Sequence, residues 1–441
     1  MKDPSVLIRE NRIEELSEFA RTTGQKTLVD ELERLNPRDQ AVLFRLLPKD
    51  LAIDVFERLD GAVQSELVHG LGDEQVGELF ASLETGDRVK LMDELPAKVA
   101  KRLLAELPTR ERGVTNLVLG YPSESIGRRM SAKYVVLTPE LTAQAALTHV
   151  RSQAAEVPTI YSLPVVGKGR RLIGVLSLRD LLKADESAAI GDIMSTEPVH
   201  VDAYTDEEDA ARLCADHQFN ALPVTDLENR LIGIVNIDTA LEILEEEETE
   251  DVARSGGTEP LRRPYLSTPV VQLVKSRIIW LFVLAIGATL TVQVLESFES
   301  TLEKVVTLSL FVPLLIGTGG NTGNQAATTV TRALALGDVR TRDVIRIAMR
   351  EASVGLLMGS LLGVLGFSVV TLLYSADLGL VIGLTLTSIC TLAATVGGVM
   401  PLIGKALKVD PAVFANPFIS TFVDASGLIV YFMIAKAILG I

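Results

Sequence analysis

From Pro269 onward the chain reads as five long apolar stretches, near 278–295, 305–336, 352–374, 378–403 and 413–439. Each is long enough to cross the ~30 Å hydrocarbon core of a bilayer as a helix rising about 1.5 Å per residue. Backbone amides in hydrocarbon must be satisfied within the segment, which restricts continuous apolar stretches of this length to α-helices. The charge balance separates this half from the rest. It carries 11 Lys and Arg against 9 Asp and Glu, a net of +2, so the net −15 of the whole chain leaves −17 on the first 268 residues. An acidic half of that kind argues against nucleic acid and against an anionic membrane surface as partners. It fits a surface that attracts cations, but on charge alone the plainer reading is a surface that is merely soluble.

Two residue groups inside the apolar half are out of place there. Asp424 and Lys436 are the charges of 413–439, and Lys436 can snorkel at one end. A carboxylate at depth costs several kcal/mol and is kept where it has a partner or a task. The second group is the run Pro313-Leu-Leu-Ile-Gly317-Thr-Gly-Gly320-Asn321-Thr-Gly-Asn324-Gln325. Polar or non-helical backbone at membrane depth is tolerated where it is packed in protein or lines water. The amides of Asn321, Asn324 and Gln325 and the hydroxyls of Thr318 and Thr322 are hard oxygen ligands of the kind Mg²⁺ and Ca²⁺ take. Asp424 has three readings: a cation ligand, a proton relay, or a structural partner of an arginine such as Arg332. The glycines are also explained by close helix packing, which suits Gly355, Gly359 and Gly363 well.

Basic residues flank the stretches unevenly. Lys275 and Arg277 precede the first; Arg332, Arg340, Arg342, Arg346 and Arg350 separate the second and third; Lys405 and Lys408 separate the fourth and fifth. Asp377 alone separates the third and fourth, and three of the four charges after the first stretch are Glu296, Glu299 and Glu303. The positive-inside rule predicts a multi-pass protein of the cell (plasma or inner) membrane, its N-terminus cytoplasmic and its C-terminus outside. The first apolar run long enough for a secretory signal starts near residue 278, which is the same expectation.

The soluble half contains two repeats. Leu35, Leu47, Leu59, Leu71, Leu83, Leu95 and Leu107 are each 12 residues apart, and Phe44, Phe56, Val68, Phe80, Met92 and Leu104 sit three positions before the last six. Pro48, Pro96 and Pro108 follow markers, where proline ends one helix and opens the next. A unit of this size is a short helix and a corner, which must stack on its neighbours to bury its apolar face. Further on, Ile126-Gly-Arg-Arg-Met130-Ser131 matches Ile190-Gly-Asp-Ile-Met194-Ser195 at an offset of 64. Leu163-Pro-Val165 matches Leu222-Pro-Val224, and Leu172-Ile-Gly174 matches Leu231-Ile-Gly233, both at 59. The change of offset predicts an insertion near 154–159. Each copy reads as strand, helix, paired strands, helix, and resembles a cystathionine-β-synthase (CBS) domain. The resemblance assigns Ser177 and Asp180 to an adenine nucleotide such as ATP; Asn236 and Thr239 depart from the usual residues in the second copy.

The predicted fold class is therefore multidomain: an all-α superhelical N-terminal domain (1–122), two α/β CBS domains (123–186 and 187–245), an acidic connecting helix (246–269) and an α-helical membrane domain with five transmembrane helices (270–441). Cys214 and Cys390 fall in different halves, and the four histidines are scattered, which gives no disulfide framework and no zinc, copper or iron–sulfur cluster. Gly317-x-Gly319 lacks the lysine and the βαβ setting of a nucleotide loop, and no hydrolase or ATPase motif is present. The chain is expected not to be an enzyme.

Taken in order, the helical repeat, the CBS pair, the acidic helix and the five stretches with Pro313, Gly317, Asn321, Asn324 and Gln325 resemble the MgtE family of magnesium channels and transporters. The resemblance implies a homodimer in the lipid bilayer with a Mg²⁺ pore on its axis. Asp424 is then central to ion selection, with Asn324, Asn321, Gly320, Asn416 and Ser420 near it. Cytosolic Mg²⁺ closes the pore by binding acids between the soluble domains; Glu208, Glu242, Glu247, Glu250, Asp251 and Asp410 look equivalent, with Glu74 and Glu78 as the helical domain's share. The alternatives are a carrier of Co²⁺ or Ca²⁺, or a membrane-tethered nucleotide sensor.

Overall fold

The computed structural model describes residues 4–10, 12–71, 73–261, 265, 268–407 and 416–440, with the side chains of Asp73, Glu74 and Asn416 left aside. Asp410 lies outside the described residues. The chain forms two compact units, divided inside one helix between Glu247 and Glu248.

The first unit opens with α1 (Pro4–Arg9) and α2 (Ile13–Thr22). There follow α3 (Gln25–Arg34), α4 (Pro37–Arg45), α5 (Lys49–Glu57), α6 (Gly61–Gly70), α7 (Asp73–Ser82), α8 (Thr85–Glu94), α9 (Ala97–Glu106) and α10 (Thr109–Leu119). From α3 to α10 each helix begins 12 residues after the last. The leucine markers terminate the helices and turn inward: Leu35, Leu47, Leu59, Leu71, Leu83, Leu95 and Leu107 are all buried in one apolar core with Phe44, Phe56 and Phe80. Pro48, Pro96 and Pro108 occupy N-cap positions in extended backbone. Proline fits there because the first amides of a helix have no intrahelical acceptor to lose.

Two α/β copies follow. The first comprises α11 (Ile126–Arg129), α12 (Ala143–Gln153), β1 (Ser162–Val166), β2 (Leu172–Ser177) and α13 (Leu178–Lys183). The second comprises α14 (Ile190–Ile193), β3 (Val201–Asp202), α15 (Glu207–Asp216), β4 (Ala221–Thr225), β5 (Leu231–Asn236) and α16 (Ile237–Ser255). In both, the last two strands pair antiparallel, Ser162 with Ser177 and Ala221 with Asn236, with the same register shift at their far ends. Eight residues separate α12 from β1 and four separate α15 from β4, which puts the predicted insertion in the first of these loops. The entry segments are exchanged between copies. Ile126 and Met130 are buried in the second copy's core, Ser131 bridges Ile234, and Ser195 bridges Val175. Gly174 and Gly233 permit this, because a Cβ on either would strike the sulfur of Met194 or Met130 at 2.6 or 2.5 Å.

The second unit holds α17 (Val270–Ser297), the short α18 (Glu299–Lys304), α19 (Val312–Ala335), α20 (Val344–Leu373), α21 (Ala376–Ala406) and α22 (Asn416–Leu439). Four segments among the described residues are long and apolar enough to cross a membrane: Val270–Ser297, Thr341–Leu373, Ala376–Ala406 and Pro417–Leu439. At 24 residues α19 has the length, but its Gly, Asn, Gln and Thr content keeps it out of that group. α21 is central, with half of its apolar window buried against 6% for α17. Gly355, Gly359 and Gly363 of α20 lie against the α21 backbone, each with a would-be Cβ within 2.5–2.8 Å of Cys390, Thr387 or Gly383. Small residues on one ridge let helices approach without the hydrophobic drive that is missing in lipid.

Candidate functional site

The amide-rich run is continuous α-helix from Val312 to Ala335, so its polarity comes from side chains, and no backbone is unwound there. Pro313 sits in the first turn, where its missing N–H costs nothing. Two faces of α19 then differ sharply. Gly319 and Gly323 face inward, where Cβ atoms would strike Ile389 and Val423, or Ile419, at under 3 Å. Gly317, Asn321 and Gln325, one helical ridge at i, i+4 and i+8, are exposed in the single chain, and Thr328 and Thr329 continue it.

Asp424 stands beside this ridge. It is nine residues into α22, about 12 Å from the helix start at 1.5 Å per residue. Gly320 opposes it: a Cβ there would lie 3.9 Å from Asp424 Oδ1 and 3.6 Å from Ser420 Oγ. One turn along, Asn324 donates Nδ2 to Ser420 Oγ at 3.2 Å. Gly320, Asn324, Ser420 and Asp424 thus converge, and Asn321 lies on the adjoining open ridge. Asn416 begins α22, with its side chain outside the described residues. Arg332 is exposed in the last turn of α19, 12 residues and about 18 Å of helix from Gly320. Within the single chain it does not reach Asp424, so Arg332 itself is not the partner of that carboxylate.

The acids expected to sense cations are dispersed among several partners. Glu208 accepts from Arg212 of its own helix at 3.0 Å, Glu250 pairs with Arg254, and Glu78 pairs with Lys49 at 3.0 Å on open surface. Glu247 and Asp251 continue α16, each with contacts of its own. Glu242 accepts from Lys90 of α8 at 2.5 Å. Ser177 caps α13: its Oγ accepts from the Asp180 amide at 3.0 Å and donates to Asp180 Oδ2 at 2.6 Å.

Sequence reasoning missed an acidic patch around α8. Burial pushes Asp87 up to about 7, with Glu57, Glu242 and Glu84 adding to the shift and Lys90 opposing it. Burial likewise raises Glu57 to about 6 and Glu207 to about 7. Glu246 moves down, because Arg129 and Lys90 outweigh the effect of its burial. The charged residues of α8 were visible in the sequence, but Glu242 and Glu246, which meet Lys90, come from more than 150 positions away.

Comparison with known proteins follows the same order of domains. The model of a divalent cation transporter family, MgtE, matches residues 312–434; the MgtE intracellular N domain matches 24–124; CBS domains match 124–187 and 190–246. The magnesium transporter MgtE of Thermus thermophilus is 35% identical over 96% of this chain and 98% of its own length. That of Bacillus subtilis is 27% identical over 98% and 96%. A crystal structure of the cytosolic domain of the Mg²⁺ channel MgtE in complex with ATP superposes with a TM-score of 0.52 at 31% identity, covering 55% of this chain and 98% of that one. With the helical repeat, the CBS pair and the polar ridge beside Asp424 in one order along nearly the full length, the chain belongs to the MgtE family.

Proposed function

We propose that the chain conducts Mg²⁺ across the cell membrane, and that Asp424 supplies the field that attracts the ion. The observation that carries this is the placement of Asp424 beside the exposed ridge Gly317, Asn321 and Gln325. Amides facing hydrocarbon would be unsatisfied. A ridge of amides next to a carboxylate is suited to a wet path, completed by a second copy of the chain related by a two-fold axis. Mg²⁺ dehydrates reluctantly, so neutral oxygens that hold its waters and one acid that supplies charge match its chemistry. The relatives named above as magnesium transporters support the choice of ion.

The regulatory part of the proposal rests on α16. Glu247, Glu250 and Asp251 occupy its second half, and cytosolic Mg²⁺ bound there would favour the closed state by mass action. The N-terminus faces the cytoplasm and the C-terminus the outside. Ser177 and Asp180 are our assignment for an adenine nucleotide, consistent with the ATP in the solved cytosolic domain of a relative.

The test is uptake into proteoliposomes loaded with a Mg²⁺ indicator, with Co²⁺ and Ca²⁺ as competitors. Mg²⁺ flux that saturates and resists both competitors is expected. Flux of Co²⁺ or Ca²⁺ in preference to Mg²⁺ would move the reading to another divalent ion, and no flux of any of them would leave the nucleotide-sensor reading in its place.

A further inference from the structure

The two sides of α20 differ in chemistry. Gly355, Gly359 and Gly363 turn to α21, and Glu351 leans the same way, its Cγ 2.6 Å from where a Cβ on Gly398 would stand. Arg346 and Arg350 stand one turn apart near the start of the helix, Arg342 precedes them in the turn that leads into it, and all three are exposed in the single chain. Leu357, Leu361 and Val364 follow Arg350 by 7, 11 and 14 residues, close to whole turns at about 3.6 residues per turn, so they continue the arginine ridge. They are 68%, 76% and 67% exposed. Arg342, Arg346 and Arg350 form no ion pair and no side-chain hydrogen bond with another described residue; Glu351 is an electrostatic neighbour of Arg350 without bonding it. Elsewhere the chain pairs its arginines: Arg88 with Glu111, Arg212 with Glu208, Arg254 with Glu250.

We propose that this ridge binds an anionic phospholipid, with its phosphate on the guanidiniums of Arg346 and Arg350 and an acyl chain along Leu357, Leu361 and Val364. The helix is long and apolar enough to cross a membrane, so a strip running from guanidinium to leucine on its outer side passes from headgroup level into hydrocarbon. Arg350 to Val364 covers about 21 Å at 1.5 Å per residue, a length that an acyl chain can follow. A guanidinium presents paired N–H donors that match two phosphate oxygens. Cations confined to a loop would satisfy the positive-inside pattern; Arg346 and Arg350 lie within the helix, where an unpaired guanidinium at the edge of hydrocarbon is costly. A phosphate there removes that cost. A zwitterionic headgroup brings the same phosphate with its own cation attached, which opposes the arginines.

The proposal rests on the membrane reading of α20 and not on the ion carried. The experiment is native mass spectrometry of the full chain in detergent, titrated with phosphatidylglycerol or with phosphatidylcholine of the same chain length. The parent is expected to bind phosphatidylglycerol about tenfold more tightly than phosphatidylcholine. Arg346→Gln combined with Arg350→Gln is expected to lose that preference, and Arg332→Gln, at the exposed end of α19, to keep it within about twofold. Glycerol phosphate in excess, a headgroup without chains, is expected to leave the bound lipid in place. No preference in the parent would overturn the proposal, and is the result expected if a second copy or the acidic first unit covers the ridge instead. An undiminished preference in the folded double variant would overturn it as well, and displacement by glycerol phosphate would replace the lipid with free phosphate. Should the double variant fail to fold, the parent's two lipids and the glycerol phosphate competition still decide. Mg²⁺ flux is measured separately, so its absence counts against the transport reading and leaves the lipid result standing.

Discussion

Asn324 of α19 donates its amide to the hydroxyl of Ser420 on α22 at 3.2 Å, one helical turn from Asp424. This bond fixes the rotation of the two helices about each other at the level of the carboxylate. Asn324→Ala removes it and leaves the charge. Flux is expected to fall a few-fold, by the ~1 kcal/mol of a typical net hydrogen bond, with ion preference kept. A loss of preference among divalents would show that Asn324 selects ions directly.

Packing sets a second expectation. Gly397 of α21 lies against the backbone of Gly323, where a Cβ has no room. Gly397→Val should lower the thermal midpoint in detergent or nanodiscs, with an overpacking cost of roughly 1–3 kcal/mol or more. Gly317→Ala serves as the control, since a Cβ there meets nothing within 4 Å. Equal midpoints for Gly397→Val and Gly317→Ala would contradict the α19–α21 contact.

The soluble half should respond to pH through Asp87. Its folded value is raised to about 7 by burial and by Glu57, Glu242 and Glu84, against an unfolded value near 4. Between those values the folded state holds the proton and the unfolded state does not, so stability is lost as pH rises through that window. Asp87→Asn removes the cost of ionising a buried carboxyl. It should raise the first unfolding midpoint more at about pH 8 than at about pH 5. An equal shift at both would assign the effect to packing.

Trp280, the single tryptophan, donates Nε1 to Glu259 Oε1 at 2.9 Å and meets Phe418 edge-on. Glu259 follows Gly257, the positive-φ turn that ends α16 and lies against Pro417 at the start of α22. If α16 moves on binding Mg²⁺, Glu259 moves with it. Tryptophan emission should then change with Mg²⁺ at the midpoint of channel closure, and Glu259→Ala should abolish the change. Constant emission across a range that closes the channel would disconnect this loop from gating.

The helical repeat was legible because each 12-residue unit places its leucine at the same corner, and each marker proved buried. The CBS pair was legible from two offsets, 64 and 59, and even the loop that absorbs their difference lies where the mismatch put it. The exchange of Ile126 and Met130 into the second copy was not, since an offset says which segments are alike and nothing about which core they join. The polarity of α19 marked it as special inside the apolar stretch 305–336, and the same polarity keeps it out of the four segments apolar enough to cross a membrane. The patch around α8 was invisible for a plainer reason: Lys90 and Glu242 are 152 residues apart, and neither carries a local pattern that calls for the other.

The central claim is that Asp424 supplies the charge that selects Mg²⁺, and it is tested most directly by Mg²⁺ uptake into proteoliposomes containing Asp424→Asn. The substitution keeps the shape and one oxygen of the side chain and removes the charge. The account predicts a folded protein whose Mg²⁺ flux is abolished or whose preference for Mg²⁺ over Co²⁺ and Ca²⁺ is lost. Parent-like flux with parent-like preference in Asp424→Asn would contradict it.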